Sequence, residues 1–370
     1  MTTVAPDRST RRRLSPLALF EALATPHGVD RYLELVNPML TVREMRAEVT
    51  DVSRSTADTV TLTLRPTRQW RGFQAGQFVQ VTVVIDGVRR TRCYSPACSQ
   101  YRDDGRIELT IKAHPEGIVS QFLHAHAAPG LIVGLAQADG TFRLPQRRPD
   151  KILFISGGSG ITPVMSMLRT LCDEGHVGDV TFLHYGYTER GVAYRDDLLD
   201  LAAEHGNVRV VLAYTDQVDG DLHGYFGPEH LETVAPWHAD AETFLCGPPG
   251  LMKSVRSLYD ERGLTDRLHF EDFAPVPMVA DGDAASATGV LSFERSGTSA
   301  DNSGATLLEQ AEAAGLTPEH GCRMGICFSC TKIKTSGCTR NIRTGETDAD
   351  PDTEIQLCIS VPVGDVTLDL

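Results

Sequence analysis

Lys151-Ile152-Leu153-Phe154-Ile155-Ser156-Gly157-Gly158-Ser159-Gly160-Ile161-Thr162-Pro163 reads as a strand that runs into a glycine turn and then a helix. Ile152 to Ile155 are continuously apolar, the mark of a strand buried on both faces. Gly157, Gly158 and Gly160 let the backbone come close to a bound group, and Pro163 sits where a first helical turn tolerates it. An apolar-periodic stretch continues to Leu171. Strands follow at Val180 to Tyr185, Val208 to Ala213 and Thr243 to Leu245, and helices at Asp196 to Ala203 and Leu251 to Arg262. Alternating strand and helix predicts an α/β unit with a parallel sheet over residues 148–275. Free N–H groups at the helix start favour a pyrophosphate. The turn is not the G-x-G-x-x-G fingerprint, because Pro163 stands at the third glycine position.

Upstream the pattern is β. Thr59 to Leu64 (T-V-T-L-T-L) alternates with period two, Phe78 to Ile85 is β-branched and apolar, and Arg106 to Ile111 alternates again. Gly72, Gly76, Gly87 and Gly105 punctuate these runs, and Ile118 to Ala127 has the form of one short inserted helix. Short strands so arranged predict a small antiparallel β-barrel over residues 42–147. Residues 1–41 form an extension. It holds a basic cluster from Arg8 to Arg13, a short helix opening between Pro16 and Leu23, and apolar residues at helical spacing in Asp30 to Val36. It reads as a segment that docks on the body of the protein. Downstream, Pro275 to Ala287 lacks apolar periodicity and reads as a linker, taken as residues 276–287. Residues 288–370 form an acidic third unit with a strand at Val290 to Glu294 and a helix at Thr306 to Ala314.

The chain has 370 residues, 41% hydrophobic and 23% charged. That length allows two or three domains with their own cores, and the composition excludes disorder throughout or a fibrous repeat. Lys and Arg total 35 against 49 Asp and Glu, a net charge of −14, which argues against nucleic acid as the main partner. No apolar run approaches the roughly 18 residues of a bilayer span. Leu14 to Leu19 is too short and too interrupted for a secretory h-region. The expectation is a cytoplasmic monomer with at most peripheral membrane contact.

Nine cysteines are unevenly spread: Cys93, Cys98, Cys172 and Cys246 are scattered, and five fall between Cys322 and Cys358. Cys322, Cys327 and Cys330 follow C-x4-C-x2-C with Cys358 downstream, the plant-type [2Fe–2S] spacing. Two irons bridged by sulfides take four thiolates, and one short loop supplies three. Gly321 and Gly325 let that loop curl so that N–H groups face the sulfurs. Structural zinc, the alternative, ordinarily uses two C-x2-C-like pairs. Cys338 falls outside the pattern and reads as a bystander thiol.

Arg92-Cys93-Tyr94-Ser95, Gly117-Ile118-Val119-Ser120, Gly157 to Pro163 and Cys246-Gly247-Pro248-Pro249 occur in this order. Together they resemble the ferredoxin–NADP reductase superfamily. The C-terminal cysteines narrow the resemblance, over about residues 42 to 370, to its oxygenase-reductase branch. It implies a multidomain protein: an antiparallel β-barrel flavin domain, an α/β parallel-sheet nicotinamide domain and an α+β β-grasp ferredoxin domain. In such proteins Arg92 would neutralise a flavin phosphate, Tyr94 would stack on the isoalloxazine, and Ser95 would hydrogen-bond near its N5. Gly117, Val119 and Ser120 would open the inserted helix toward the pyrophosphate, with Lys112 also at the cofactor. Gly157, Gly158 and Gly160 would hold the nucleotide, and Thr162 would face both rings. Cys246, with Gly247 and Pro248, would sit beside the nicotinamide C4. Glu271 would share a polar network with Ser95, and Phe273 would shield the flavin. Ser95, Thr162, Cys246 and Glu271 are thus the implied catalytic set. Thr188, Arg190 and Tyr194 resemble positions that hold a 2′-phosphate, although Glu189 would repel it. FAD is preferred to FMN and NADPH to NADH, with both alternatives open.

The expected reaction splits electrons: NADPH gives a hydride to the flavin, which releases single electrons to the [2Fe–2S] cluster and on to a separate acceptor. No diiron or haem-ligand signature is visible, so oxygen chemistry would lie in the partner. Asp30-Arg31-Tyr32-Leu33-Glu34-Leu35 resembles the extension of bacterial reductases that serve membrane acyl-CoA desaturases. A fatty-acid desaturase, recruiting the chain to a membrane-bound partner, is therefore the leading acceptor. A cytochrome P450 or ring-hydroxylating oxygenase is the alternative, and a redox sensor without a dedicated acceptor is the third reading. The acids Glu346, Asp348, Asp350, Asp352 and Glu354 form a patch expected to steer docking onto a basic surface.

Overall fold

In the computed structural model, which describes residues 29–115, 117–273 and 287–370, the period-two runs pair into a closed sheet. Its strands are β1 (Arg46–Thr56), β2 (Thr59–Pro66), β3 (Val79–Ile85), β4 (Val88–Tyr94), β5 (Ile107–Lys112) and β6 (Ile132–Leu135). They are antiparallel, in the order β4-β3-β6-β1-β2-β5. Val60, Leu62 and Leu64 of β2 turn into the core with Val79, Val81 and Val83 of β3, while Thr61 and Thr63 stay part-exposed. A bridge from Pro96 to Leu109 joins the end of β4 to β5, so the two edge strands meet and the sheet closes as the expected barrel. The helix Ile118–His126 buries Val119 and Leu123 against this core.

The second sheet contains β7 (Lys151–Gly157), β8 (Asp179–Gly186), β9 (Val208–Tyr214), β10 (Leu222–His223), β11 (Glu242–Gly247) and β12 (Leu268–Asp272). All its pairings are parallel, in the order β10-β9-β8-β7-β11-β12. The unbroken apolar run of β7 serves both faces. Ile152 and Phe154 pack with Phe182, Phe244 and Leu168 on one side, and Leu153 and Ile155 with Val255 and Tyr259 on the other. Because the strands run the same way, the carboxyl ends of β7, β11 and β12 fall on one edge, where ligands bind in such sheets.

The third sheet contains β13 (Val290–Phe293), β14 (Thr298–Asp301), β15 (Thr331–Asn341), β16 (Thr347–Asp348), β17 (Thr353–Gln356) and β18 (Ser360–Leu368). Its order is β14-β13-β18-β15-β16, with β17 also on β15; β13 and β18 are parallel. The helix Leu307–Ala313 closes this core with Leu307, Leu308 and Ala311, and a reciprocal Thr306–Glu309 capping box fixes its start.

Three expectations fall outside the described residues: the cluster Arg8 to Arg13, the helix from Pro16 to Leu23, and the linker apart from Ala287. The extension's described part does dock, but by polar contacts. The Asp30 carboxylate accepts N–H bonds from Val42 (2.5 Å), Arg43 (2.9 Å) and Glu44 (2.8 Å), and Arg46 pairs with Glu34 and Glu44. Leu35 and Val36 stay exposed. Among the described residues no helix is long and apolar enough to cross a membrane.

The helix Ile161–Asp173 binds the barrel to the parallel sheet. Ser166 Oγ donates to the Cys98 carbonyl (2.7 Å), and Arg169 Nη1 donates to the Ala97 carbonyl (2.9 Å) and to Glu108 (2.8 Å). The Arg169 guanidinium also lies 4.8 Å over the Tyr194 ring. Replacing Arg169 with Met leaves Glu108 only the more distant Arg102 guanidinium (3.9 Å) as a cation and removes both of the Arg169 hydrogen bonds of the seam. We expect a loss of about 2 kcal/mol, the worth of hydrogen bonds to charged groups, read as a lower urea midpoint for the full chain.

Candidate functional site

Parallel pairing sets Cys246 level with Ser156 on one side and with Glu271 on the other. The glycine turn presses onto this edge. A Cβ at Gly160 would stand 2.1 Å from the Cys246 carbonyl oxygen, and one at Gly157 would stand 2.9 Å from the Pro248 ring. Two motifs far apart in sequence are therefore one contact. Gly247 closes it from the other side, and Gly158 adopts φ +52 in the turn. Thr162 is buried there and donates to the Ser159 carbonyl (3.2 Å). Cys246 is fully buried; desolvation, and after it the carboxyls of Glu271 and Asp272, hold its thiol in the neutral form. Phe273 packs on the same apolar cluster as Cys246.

Ser95, just beyond β4, is 2% exposed. Its Oγ and the Oε2 of Glu271 are both buried with no geometrically sound hydrogen-bond partner among the described residues. Burial pushes the Glu271 carboxyl up to about 8, although the nearby Ser95 hydroxyl and the Arg343 charge favour its ionised form. An orphaned hydroxyl and a protonated acid together mark room for a polar group that the protein does not itself supply.

Arg92 has the same unfinished character. Its Nη1 donates to the carbonyls of Thr91 (2.7 Å) and Gly321 (3.3 Å), and no carboxylate pairs with it among the described residues. Desolvation, and then the Arg323 and Arg90 charges, pull its pKa down, with Tyr94 opposing. A desolvated guanidinium without an anion fits a phosphate. Three helices begin bare: Ile118–His126 after Gly117, Ile161–Asp173 after Gly160, and Pro249–Glu261 after Pro248. None has a side-chain cap or an acid in its first turn. Their free N–H groups are ready anion sites. Ser120 Oγ turns back to the Gly117 carbonyl (3.0 Å), and Lys112 is engaged by Asp58 (3.1 Å). These donors fit a flavin dinucleotide and a nicotinamide nucleotide.

The residues read as a 2′-phosphate site do not all meet. Thr188 and Arg190 flank the short turn after β8, and Arg190 is exposed with no ion-pair partner among the described residues. Glu189, expected to repel a phosphate, is paired with Arg195 at 2.6 Å. Tyr194 is elsewhere: it takes φ 60, donates to Glu108 (2.9 Å) and shares a hydrogen bond with Thr110 of the barrel. Its hydroxyl braces two units.

Cys322, Cys327, Cys330 and Cys358 are all buried and converge. The Cys322 N–H donates to Cys327 Sγ (3.1 Å) and the Cys358 N–H to Cys330 Sγ (3.4 Å), while the Met324 N–H reaches Cys322 Sγ (3.3 Å). The loop turns inward through left-handed residues, Arg323 (φ 57), Gly325 (φ 76) and Phe328 (φ 55). A Cβ at Gly321 would stand 2.9 Å from Cys327 Sγ. Sulfurs in two pairs with N–H donors aimed at them fit a two-iron cluster. Cys338 lies on β15 opposite Val363, outside this set.

Sequence reasoning passed over one residue here. The sulfurs of Cys93, Cys322 and Cys327 all lie within 4.8 Å of one another. The only available signal was a thiol at the variable place of Arg92-Cys93-Tyr94-Ser95. The acidic run divides by role. Asp348 accepts from the fully buried Lys334 ammonium (3.0 Å) and so belongs to the fold, whereas Glu346, Asp350, Asp352 and Glu354 are exposed.

Residues 154–257 match the oxidoreductase NAD-binding domain family and residues 46–143 the oxidoreductase FAD-binding domain family. An NADPH oxidoreductase of Mycobacterium tuberculosis is 37% identical over 352 residues, 94% of this chain and 90% of that protein. The glycine betaine monooxygenase reductase subunit of Pseudomonas aeruginosa is 33% identical over 80% of this chain and 87% of its own length. The solved phthalate dioxygenase reductase, described as modular for electron transfer from pyridine nucleotides to [2Fe-2S], shares the fold. It has a TM-score of 0.56 and 23% identity over 88% of this chain and 97% of that one.

The raised Glu271 pKa has a defined sign. Keeping the carboxyl protonated contributes stability in full below its ordinary 4.5, and that contribution is lost as pH rises through about 8. We expect Glu271→Gln, which stays neutral, to flatten the fall in unfolding free energy across this window in flavin-free protein. Urea titrations at stepped pH check it; parallel curves for the two proteins would contradict the assignment.

Proposed function

The chain belongs to the FAD- and NAD-binding oxidoreductases of the ferredoxin reductase family, and on that footing we propose that it is the reductase component of an oxygen-activating system, taking electrons from NADPH through FAD and a [2Fe–2S] cluster to a separate protein. The observation that carries this reading is one shared strand. β4 bears Arg92 and Tyr94, and its neighbour Cys93 touches the cysteine loop. A flavin held by this strand would lie beside a cluster held by the loop, which supports electron transfer between them.

A bound flavin would supply the conversion between two-electron and one-electron chemistry, and a bound cluster one-electron transfer. The protein's own work is placement. Arg92 and the bare start of Ile118–His126 would hold flavin phosphates, and the starts of Ile161–Asp173 and Pro249–Glu261 would hold the nicotinamide nucleotide. Ser95 and protonated Glu271 would offer hydrogen bonds at the reacting edge. Thr162 and the small buried thiol of Cys246 would let the two rings approach, and Phe273 would keep water away. Cys322, Cys327, Cys330 and Cys358 would hold the two irons.

NADPH rather than NADH is supported by the unpaired Arg190 and by the pairing of Glu189 with Arg195, a cation it shares with Asp196. The name of the mycobacterial relative points the same way. For the acceptor we propose a fatty-acid desaturase, on the resemblance of Asp30 to Leu35. A soluble oxygenase is the second reading, favoured by the relative that serves glycine betaine monooxygenase. Either would dock where Phe328, 61% exposed, projects from the cysteine loop near the exposed acids Glu346 and Glu354.

We expect Arg190→Ala to weaken NADPH by about tenfold or more, since a charge-assisted bond is worth about 1.5–3 kcal/mol, and to leave NADH unchanged. Calorimetric titration of both nucleotides checks this, and equal losses would remove the NADPH preference. Reconstitution decides the acceptor. NADPH-dependent desaturation with desaturase-bearing membranes supports the first reading, and product formed only with a soluble oxygenase supports the second.

A further inference from the structure

Gln80 and Cys93 face each other across β3 and β4. They lie on the outward face of the barrel, since Val79 and Val81 on either side of Gln80 are buried inward. Both meet the cysteine loop. Gln80 Nε2 donates to the Cys327 carbonyl (3.2 Å), and Ser329 Oγ donates to Gln80 Oε1 (3.2 Å). Arg92 adds its bond to the Gly321 carbonyl (3.3 Å). These contacts hold the loop against the barrel on its Cys322–Cys327 side. Cys330 and Cys358 form the other pair.

Cys93 therefore makes a third thiol beside one pair. A metal–sulfur bond of about 2.3 Å in a tetrahedral site puts ligand sulfurs about 3.8 Å apart. Three sulfurs already within 4.8 Å of one another need only a small contraction to share one metal ion. A cluster iron takes two thiolates besides its bridging sulfides, so the third thiol is spare in the loaded protein and stands ready should either neighbour be lost.

We propose that Cys93 is an alternate ligand from the barrel to the iron held by Cys322 and Cys327, able to replace either sulfur. This rests on the cluster reading above. The replacement is a ligand exchange: the Cys93 thiol gives up its proton to solvent, its sulfur bonds iron at the place the missing thiolate left, and no electrons change hands.

The test reads bound iron, acid-labile sulfide and visible absorption, normalised to flavin, in anaerobically prepared full-length protein. Wild type should hold two irons per chain; an iron-free wild type would sink the cluster reading itself. With a loaded wild type, Cys93→Ala should keep its full iron, and Cys327→Ala should keep most of it with a shifted spectrum. The double variant Cys93→Ala/Cys327→Ala should hold about tenfold less than Cys327→Ala. The same comparison with Cys322→Ala serves if Cys327→Ala fails to fold, which its flavin content reports. The proposal is overturned if the single loop variants are as empty as the doubles, or if the doubles stay as full as the singles. Loss of iron from Cys93→Ala alone would also overturn it, since Cys93 would then be a resident ligand.

Discussion

The backbone of Gly160 lies against the Cys246 carbonyl, where one added methyl would stand 2.1 Å from oxygen. The arrangement around the site follows from that contact. It joins the turn after β7 to the turn after β11, and the parallel register then places Glu271 of β12 beside Cys246. The helix that begins at this turn also carries Ser166, Arg169 and Thr170, which grip the barrel at Cys98, Ala97 and Gln100. One close approach thus fixes both the nucleotide edge and the direction from which Ser95 reaches it. A bulkier residue at position 160 would force the two turns apart and shift the barrel with them.

The electrostatics of the edge divide into two zones. Where rings would meet, burial favours the neutral forms of the Cys246 thiol and of the Glu271 carboxyl, which is pushed up to about 8. Where phosphates would lie, Arg92 and three bare helix starts supply positive potential. Positive potential thus gathers at the helix starts and Arg92, and the buried hydrogen-bonding groups Ser95 and Glu271 lie apart from it.

Much of this was legible in the sequence because it is local. Period-two alternation in Thr59 to Leu64 and the continuous run Ile152 to Ile155 distinguish a half-buried barrel strand from one covered on both faces. The glycine turn and the cysteine spacing are chemical statements in themselves. What escaped depends on neighbours far along the chain. Tyr194 follows a plausible phosphate-binding segment, yet Glu108 and Thr110 of the barrel take its hydroxyl. Asp348 sits in an acidic run, yet a buried lysine on another strand claims it. Cys93 gained meaning only once the cysteine loop was placed against Gln80. Even Glu271 was marked by family resemblance, since its own segment carries no periodic signal.

The seam between barrel and cysteine loop is addressed largely to main-chain atoms. Gln80 and Arg92 reach the carbonyls of Cys327 and Gly321. A carbonyl is the same whatever residue bears it, so these two bonds do not depend on which side chains the loop carries, unlike the Ser329–Gln80 bond. An interface of this kind imposes little sequence memory on the module it receives. A variant with a different residue at 321 or 327 would still offer the same oxygen to the barrel, provided the loop keeps its path.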